Sequence, residues 1–276
     1  MEWRKLKNII ILVLLLVNGF LLVIVTSRMG EVRRYEQAAL EQACRVLENN
    51  GIRVKQSGLE QAEGLTSLSA VRSIDGEKMI AEAILGEGVS GENQSGGLYA
   101  YRSDGGTVSF RSGGQIYAWL EDNDRWHTAN PEEFSLELFS GMGLKGRVMQ
   151  TSMLDGTGTI TLCQLLEEVP LFSCRVMFTF EEGRLISLTG TVMTGEAREE
   201  ESGSLLTMPT ALLRFMEGVL ASGDVCSRID AMEPGYRTVQ SFSSALRLEP
   251  VWLVSTNAAD YYVDAVTGEL QRLTDE

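Results

Sequence analysis

Residues 9 to 25 read IIILVLLLVNGFLLVIV, seventeen positions broken only by Asn18 and Gly19. A run this apolar is too short on polar faces to sit on a water-exposed surface, so it dictates how the chain begins. As a helix it spans about 26 Å, and Leu6, Thr26 and Ser27 extend it toward the hydrocarbon width of a bilayer. Arg4, Lys5 and Lys7 precede it, and Trp3 stands where an interfacial aromatic belongs. No small-residue cleavage site follows in VIVTSRMG, and no Cys lies just beyond for lipid attachment. The expectation is a cytoplasmic N-terminus at 1–8 and a single transmembrane anchor at 9–27. The protein would then sit in the cell membrane, single-pass, with its C-terminal part extracytoplasmic. Arg28, Arg33 and Arg34 oppose that orientation, but a large domain translocates regardless of charge. Asn18 is the one polar side chain at mid-depth. It either bonds a partner helix, alongside Gly19 and Phe20, or caps a carbonyl of its own helix.

The remainder patterns as a folded α+β region. EVRRYEQAALEQACRVLEN, residues 31–49, places apolar residues at helical spacing and stops at Asn50-Gly51. Further helices are expected at 76–86, at 131–140 behind Asn130-Pro131, and at 208–221 with Pro209 in the first turn. Between 86 and 97 GEGVSGENQSGG reads as a loop. Hairpins are expected around Asp104-Gly105-Gly106, Asp155-Gly156 and Glu181-Glu182-Gly183. GYRTVQ, LEPVWLVST and ADYYVDAVTGEL are three closing extended segments. This order predicts two small helix-plus-antiparallel-sheet modules, 28–130 and 131–276.

Net charge is −14, and the first eight residues contribute +2, which leaves −16 for the rest. That excludes a nucleic-acid binder, which needs a basic face against phosphate. Cys44, Cys163, Cys174 and Cys226 form no C-x-x-C pair. Two readings stand for them. One is disulfide bonding, with Cys163 and Cys174 on neighbouring strands the pair that spacing favours. The other is buried free thiols, packed as small hydrophobes.

Chemistry finds little to build on. His127 is the single histidine, in DNDRWHTAN, and neither G-x-S-x-G nor H-E-x-x-H occurs. No Lys has Ser three residues before it, and DGTGT at 155–159 lacks a Lys partner and joins strands. Acid pairs such as Glu167-Glu168 sit at turns, and nothing selects two carboxylates for glycoside chemistry. The expectation is a protein that is not an enzyme and carries no cofactor or metal.

One resemblance spans most of the chain, most weakly over 87–130. EWRKLKNIIILVLLLVNGFLL, ENNGIRV, VPLFSCRVMFTFEEGRLISLTGTVM, EPGYRTVQ, LEPVWLVST and YYVDAVTGEL occur in the order of the YycI (WalI) family. Gly235, Tyr236, Pro250, Trp252, Tyr262, Asp264 and Gly268 stand at its recognisable positions. The Y-x-V-D-x-x-T-G ending is also similar to PepSY-type domains, and the four cysteines depart from the family pattern. The resemblance implies a YycI/YycH-like, PepSY-like topology and a membrane-anchored accessory regulator in a Gram-positive two-component system of cell wall homeostasis. Its partners would be a WalK-like sensor histidine kinase, a YycH-like companion protein and the membrane. The alternatives are an extracytoplasmic binding module for a cell-wall fragment or peptide, using Trp119, Trp126 and Trp252, or an exported hydrolase.

Overall fold

A computed structural model describes residues 2–60, 65–94, 96–200, 203–240 and 245–273. Within the first helix the side chains of residues 21–33, and several before them, lie outside the described part, as do Ser95 and residues 201–202 of the expected loops.

The apolar run and the amphipathic stretch after it form one continuous helix, α1 (Glu2–Asn49). Gly30 does not interrupt it. Among the described residues no helix is long and apolar enough to cross a membrane. The expected single-pass anchor, and the membrane location that followed from it, are therefore corrected. The apolar stretch reaches about 26 Å, short of the roughly 30 Å hydrocarbon core, and Asn18 and Gly19 lower its hydropathy at the middle.

The other helices end where local chemistry requires. In α2 (Ile74–Leu85) the Ser73 hydroxyl accepts from the Gly76 amide at 3.0 Å, and Gly86 closes the last turn. Helices α3 (Pro131–Gly141) and α4 (Met208–Ser222) each carry Pro in the first turn, and α4 stops at the left-handed Gly223.

The strands are β1 (Arg53–Val54), β2 (Leu68–Val71), β3 (Ser90–Gln94), β4 (Leu98–Ser103), β5 (Gly106–Phe110) and β6 (Gln115–Leu120). Then follow β7 (Lys145–Leu154), β8 (Thr157–Leu166), β9 (Val169–Glu181), β10 (Arg184–Thr191) and β11 (Ala197–Glu199). The chain closes with β12 (Arg228–Gln240), β13 (Ala245–Thr256), β14 (Asp260–Asp264) and β15 (Leu270–Arg272). Strand β3 occupies part of the expected 86–97 loop. It is exposed throughout most of its length, so no alternation marks it. The hairpin turns at Asp155-Gly156 and Glu182-Gly183 have positive φ at both residues (50° and 77°, 50° and 78°), the two-residue geometry that matches strand twist.

All these strands belong to one connected sheet, with the order β11-β2-β13-β12-β9-β10-β6-β5-β4-β3 and with β14–β15 and β7–β8 branching from β13 and β9. The expected division at residue 130 does not hold. Strand β10, from the second expected module, pairs along its length with β6 from the first. Helices α2 and α3 share one core with β4–β10, built on Ile80, Phe110, Phe139, Val176, Phe178 and Phe180. A second core gathers the end of α1 (Cys44, Leu47), α4 (Leu212, Phe215) and β12–β14 (Met232, Trp252, Tyr261). The chain thus makes the α1–β1–β2 portion of one layer, builds the other around 74–192, and returns. Sequence order could not reveal this, because pairing between distant strands leaves no local periodicity.

The Glu77 side chain is fully buried, and Arg72 meets it in two bonds of 2.5 and 2.9 Å while also donating to the Gly97 carbonyl at 2.7 Å. Removing the cation strands a carboxylate without solvent. Arg72→Ala is expected to cost about 3–5 kcal/mol, and the double change Arg72→Met, Glu77→Leu to recover most of it. Urea unfolding midpoints check both; equal losses in the two variants would contradict the assignment.

Candidate interaction surfaces

The C-terminal motif residues meet on three adjacent strands. Gly235 lies opposite Val251, Tyr236 opposite Pro250, Trp252 opposite Val263, and Tyr262 opposite Leu253. Their roles are structural. A Cβ at Gly235 would stand 2.6 Å from the Pro170 carbonyl oxygen and 2.5 Å from the Phe172 ring, so only glycine lets β12 approach β9 here. Tyr262 stacks on Phe172 (6.0 Å), while Tyr261 points the other way, edge-on to Phe215 (5.4 Å), and donates to Asp224 at 3.1 Å. Asp264 Oδ1 accepts from the amides of Val266 and Thr267 at 2.9 and 2.8 Å, and the Gly268 amide donates to the Asp264 carbonyl. Arg237 donates to Glu249 at 2.9 and 3.1 Å and to Asp264 at 3.4 Å, tying this hairpin to β12 and β13.

His127 Nε2 lies 3.6 Å from Asp122 Oδ1, both well exposed, and Asp122 also faces Arg184. No group of three or more His, Cys, Asp or Glu that could hold a metal occurs among the described residues. All four cysteines are free thiols, the second of the two readings the sequence left open, and Cys163 and Cys174 are not bridged. Cys163 lies opposite Arg175, and Cys174, one residue earlier on the same strand, therefore faces away from it. Burial pushes the Cys163 thiol up to about 11 and the Cys174 thiol to about 12. Both stay protonated at neutral pH and are poor nucleophiles.

Among the described residues the concave or open surfaces include a pocket between the start of α3 and the turns at Asp155-Gly156 and Glu182-Gly183, and two others. One is a groove of 280 Å³ between α1, the segment leading into α4, and β13, lined by Glu36, Leu40, Leu65, Leu205, Met208 and Trp252. The other is the solvent face of the sheet opposite α2 and α3, over β5, β6, β10, β9 and β8. Strand β6 alternates across the sheet: Ile116, Ala118 and Leu120 enter the core, while Tyr117 and Trp119 stand out, 44% and 62% exposed. Their cross-strand rows are continuous. One runs Thr107, Trp119, Ser187, Thr179, Thr159. The next runs Ser109, Tyr117, Thr189, Met177, Thr161. Arg111 lies over the Tyr117 ring, 5.8 Å from its centroid. The sequence reading named Trp119 together with Trp126 and Trp252, but the last two are core residues, each 2% exposed. It missed Tyr117, whose signal was present in QIYAWL as an aromatic on the face opposite the aliphatics.

At the N-terminal end, Trp3, Ile11, Leu14, Leu15 and Phe20 are exposed. Asn18 donates from Nδ2 to the Leu14 carbonyl at 2.8 Å, a bond within its own helix. Gly19 has open space where a Cβ would stand.

No family model matches the chain, and no curated protein matches it. Among solved structures it is similar to an uncharacterized protein from Eubacterium rectale ATCC 33656, at 13% identity over 76% of this chain and 86% of that one, with a TM-score of 0.43. A second structural neighbour is the Bacillus megaterium YpeB C-terminal domain, at 12% identity over 74% of this chain and 99% of that one, with a TM-score of 0.38. Neither of these neighbours is a YycI protein by its description.

The thiols give a pH signature. A group whose folded pKa exceeds its ordinary value of 9.0 keeps its proton after the unfolded chain has released it. Its contribution to stability is complete below that value and fades as pH climbs toward the folded values. Urea midpoints are expected to fall from about pH 8 to about pH 10.5, and to fall less steeply in a Cys163→Ala, Cys174→Ala variant. An identical slope in both proteins would refute the burial argument.

Proposed function

We propose that this protein is a non-catalytic accessory regulator of a sensor histidine kinase, of the kind the YycI family represents. Its partners are a WalK-like kinase and a YycH-like companion, and it acts through contacts between proteins. The observation that supports this reading is how α1 is mounted. Its last turns are fixed in the core through Ala43, Cys44 and Leu47, packed with α4. Its earlier turns present Ile11, Leu14, Leu15 and Asn18 at i, i+3, i+4 and i+7, one stripe of a helix surface. A stripe of this spacing suits a partner helix. Because the same helix is continuous with the core, a partner held along the stripe is placed in a defined relation to the sheet. A regulator shifts a kinase between signalling states only to the extent that it contacts those states differently. A helix continuous with the folded body lets one kinase state meet both the stripe and the sheet while another meets only one of them. The order of sequence motifs from ENNGIRV to YYVDAVTGEL supports the family reading independently of α1.

Co-expression of the full chain with a WalK-like kinase and a YycH-like companion tests it. Co-purification and an altered kinase autophosphorylation rate are expected. A Leu14→Asp, Leu15→Asp variant is expected to lose at least tenfold of the retained kinase while its urea midpoint stays unchanged. A kinase that is neither retained nor altered in rate sinks the proposal.

A further inference from the structure

The geometry points to a glycan-binding platform on the open sheet face around Tyr117 and Trp119, taking a neutral chain of β-linked pyranose rings. Three observations carry it. The first is aromatic exposure without a packing reason. Tyr117 and Trp119 are two residues apart on one strand, so their Cα atoms stand about 6.8 Å from each other on the same face. They flank a shallow groove of 250 Å³ bordered by Thr107, Ser109, Ser187 and Thr189. The flat faces of pyranose rings carry C–H groups that pack against aromatic π faces, and two adjacent rings offer two such contacts.

The second is the composition of the surround. Seven of the ten side chains in the two cross-strand rows are Ser or Thr, each able to donate one hydrogen bond and accept two. A hydroxylated ligand needs this mixture. A peptide strand or a second copy of the chain would instead seek an open backbone edge or a larger apolar patch.

The third is charge. The chain has 38 acidic residues and a net charge of −14, yet neither row contains a carboxylate between β5 and β8. Arg111 lies against the Tyr117 ring, and Arg102, opposite Thr107, is already paired with the exposed Glu92. An uncharged ligand meets no desolvated acid on this face. The strands of the platform are fixed from behind by Val108, Ile116, Ala118 and Leu188, all in the core, so the aromatic pair is held in place before any ligand arrives.

The test uses the full chain alone and is independent of the kinase reading, so one can fail without the other. The probes are a hexamer of β-1,4-linked N-acetylglucosamine and cellohexaose, titrated by calorimetry and by tryptophan fluorescence. Trp126 and Trp252 are buried and Trp3 stands at the start of α1, outside the sheet, so the fluorescence change is expected to persist in Trp3→Phe and to vanish with Trp119→Ala. That variant is expected to weaken binding of at least one hexamer by tenfold or more, Tyr117→Ala to weaken it several-fold, and Trp119→Phe to restore most of it. The disaccharides are expected to bind more weakly than the hexamers. Circular dichroism and the urea midpoint should be unchanged, since both aromatics are exposed. Three results overturn the proposal: neither hexamer binds, Trp119→Ala binds as wild type, or sedimentation shows that Trp119→Ala abolishes self-association in a protein that binds no sugar.

Discussion

Strand β9 is the constraint on which the rest of the structure depends. Its first part lies between β8 and β12, touching β12 in parallel register at Leu171–Tyr236. Its second part lies between β8 and β10. The thirteen residues therefore belong to both layers of the fold. Leu171 and Cys174 pack with Tyr236 and Leu248, Phe172 with Val251 and Tyr262, and Val176, Phe178 and Phe180 with the α2–α3 core. A strand buried on alternating sides in different neighbourhoods has to be apolar over most of its length, which is why VPLFSCRVMFTF reads as it does.

Polar chemistry fastens the same joint. Arg147 on β7 meets Glu233 on β12 in two bonds of 2.5 and 2.6 Å, a bidentate pair that reaches across from one layer to the other. The Ser173 hydroxyl on β9 accepts from the Thr238 amide at 3.1 Å where the parallel ladder has already ended. Gln164, at the bulge in β8, exchanges two hydrogen bonds with the Met193 backbone at 2.8 and 3.0 Å. Gln164 is buried, so its two bonds satisfy a group that would otherwise lack a partner, and the strand junction is specified as well as filled. The open face around Tyr117 and Trp119 depends on it, because β6 is held in the sheet through β10 and hence through β9.

Element type was legible wherever a local signal existed. Asn50-Gly51, Asn130-Pro131 and Pro209 mark helix ends by capping and backbone chemistry that works within a few residues, and the structure has helix ends there. Asp155-Gly156 marks its hairpin for the same reason. Two kinds of feature were not legible. Strand β3 is polar and exposed, so its register comes from β4 and not from its own alternation. The choice between a Cys163–Cys174 bridge and free thiols was not legible either, because spacing along a hairpin does not give the face each side chain takes, and register with a bulge does.

By itself the sequence determined the α+β content, the hairpin turns and the extended closing segment YYVDAVTGEL. These follow from backbone propensity and from the period of two along a strand, both local properties. Only the tertiary structure decided that the apolar N-terminal run continues into a single 48-residue helix ending in the core, and that 74–192 forms one layer. It also decided that Trp126 and Trp252 are buried while Trp119 is not. Those outcomes rest on which distant strands pair and which faces they cover, and that is settled by burial summed over the whole chain.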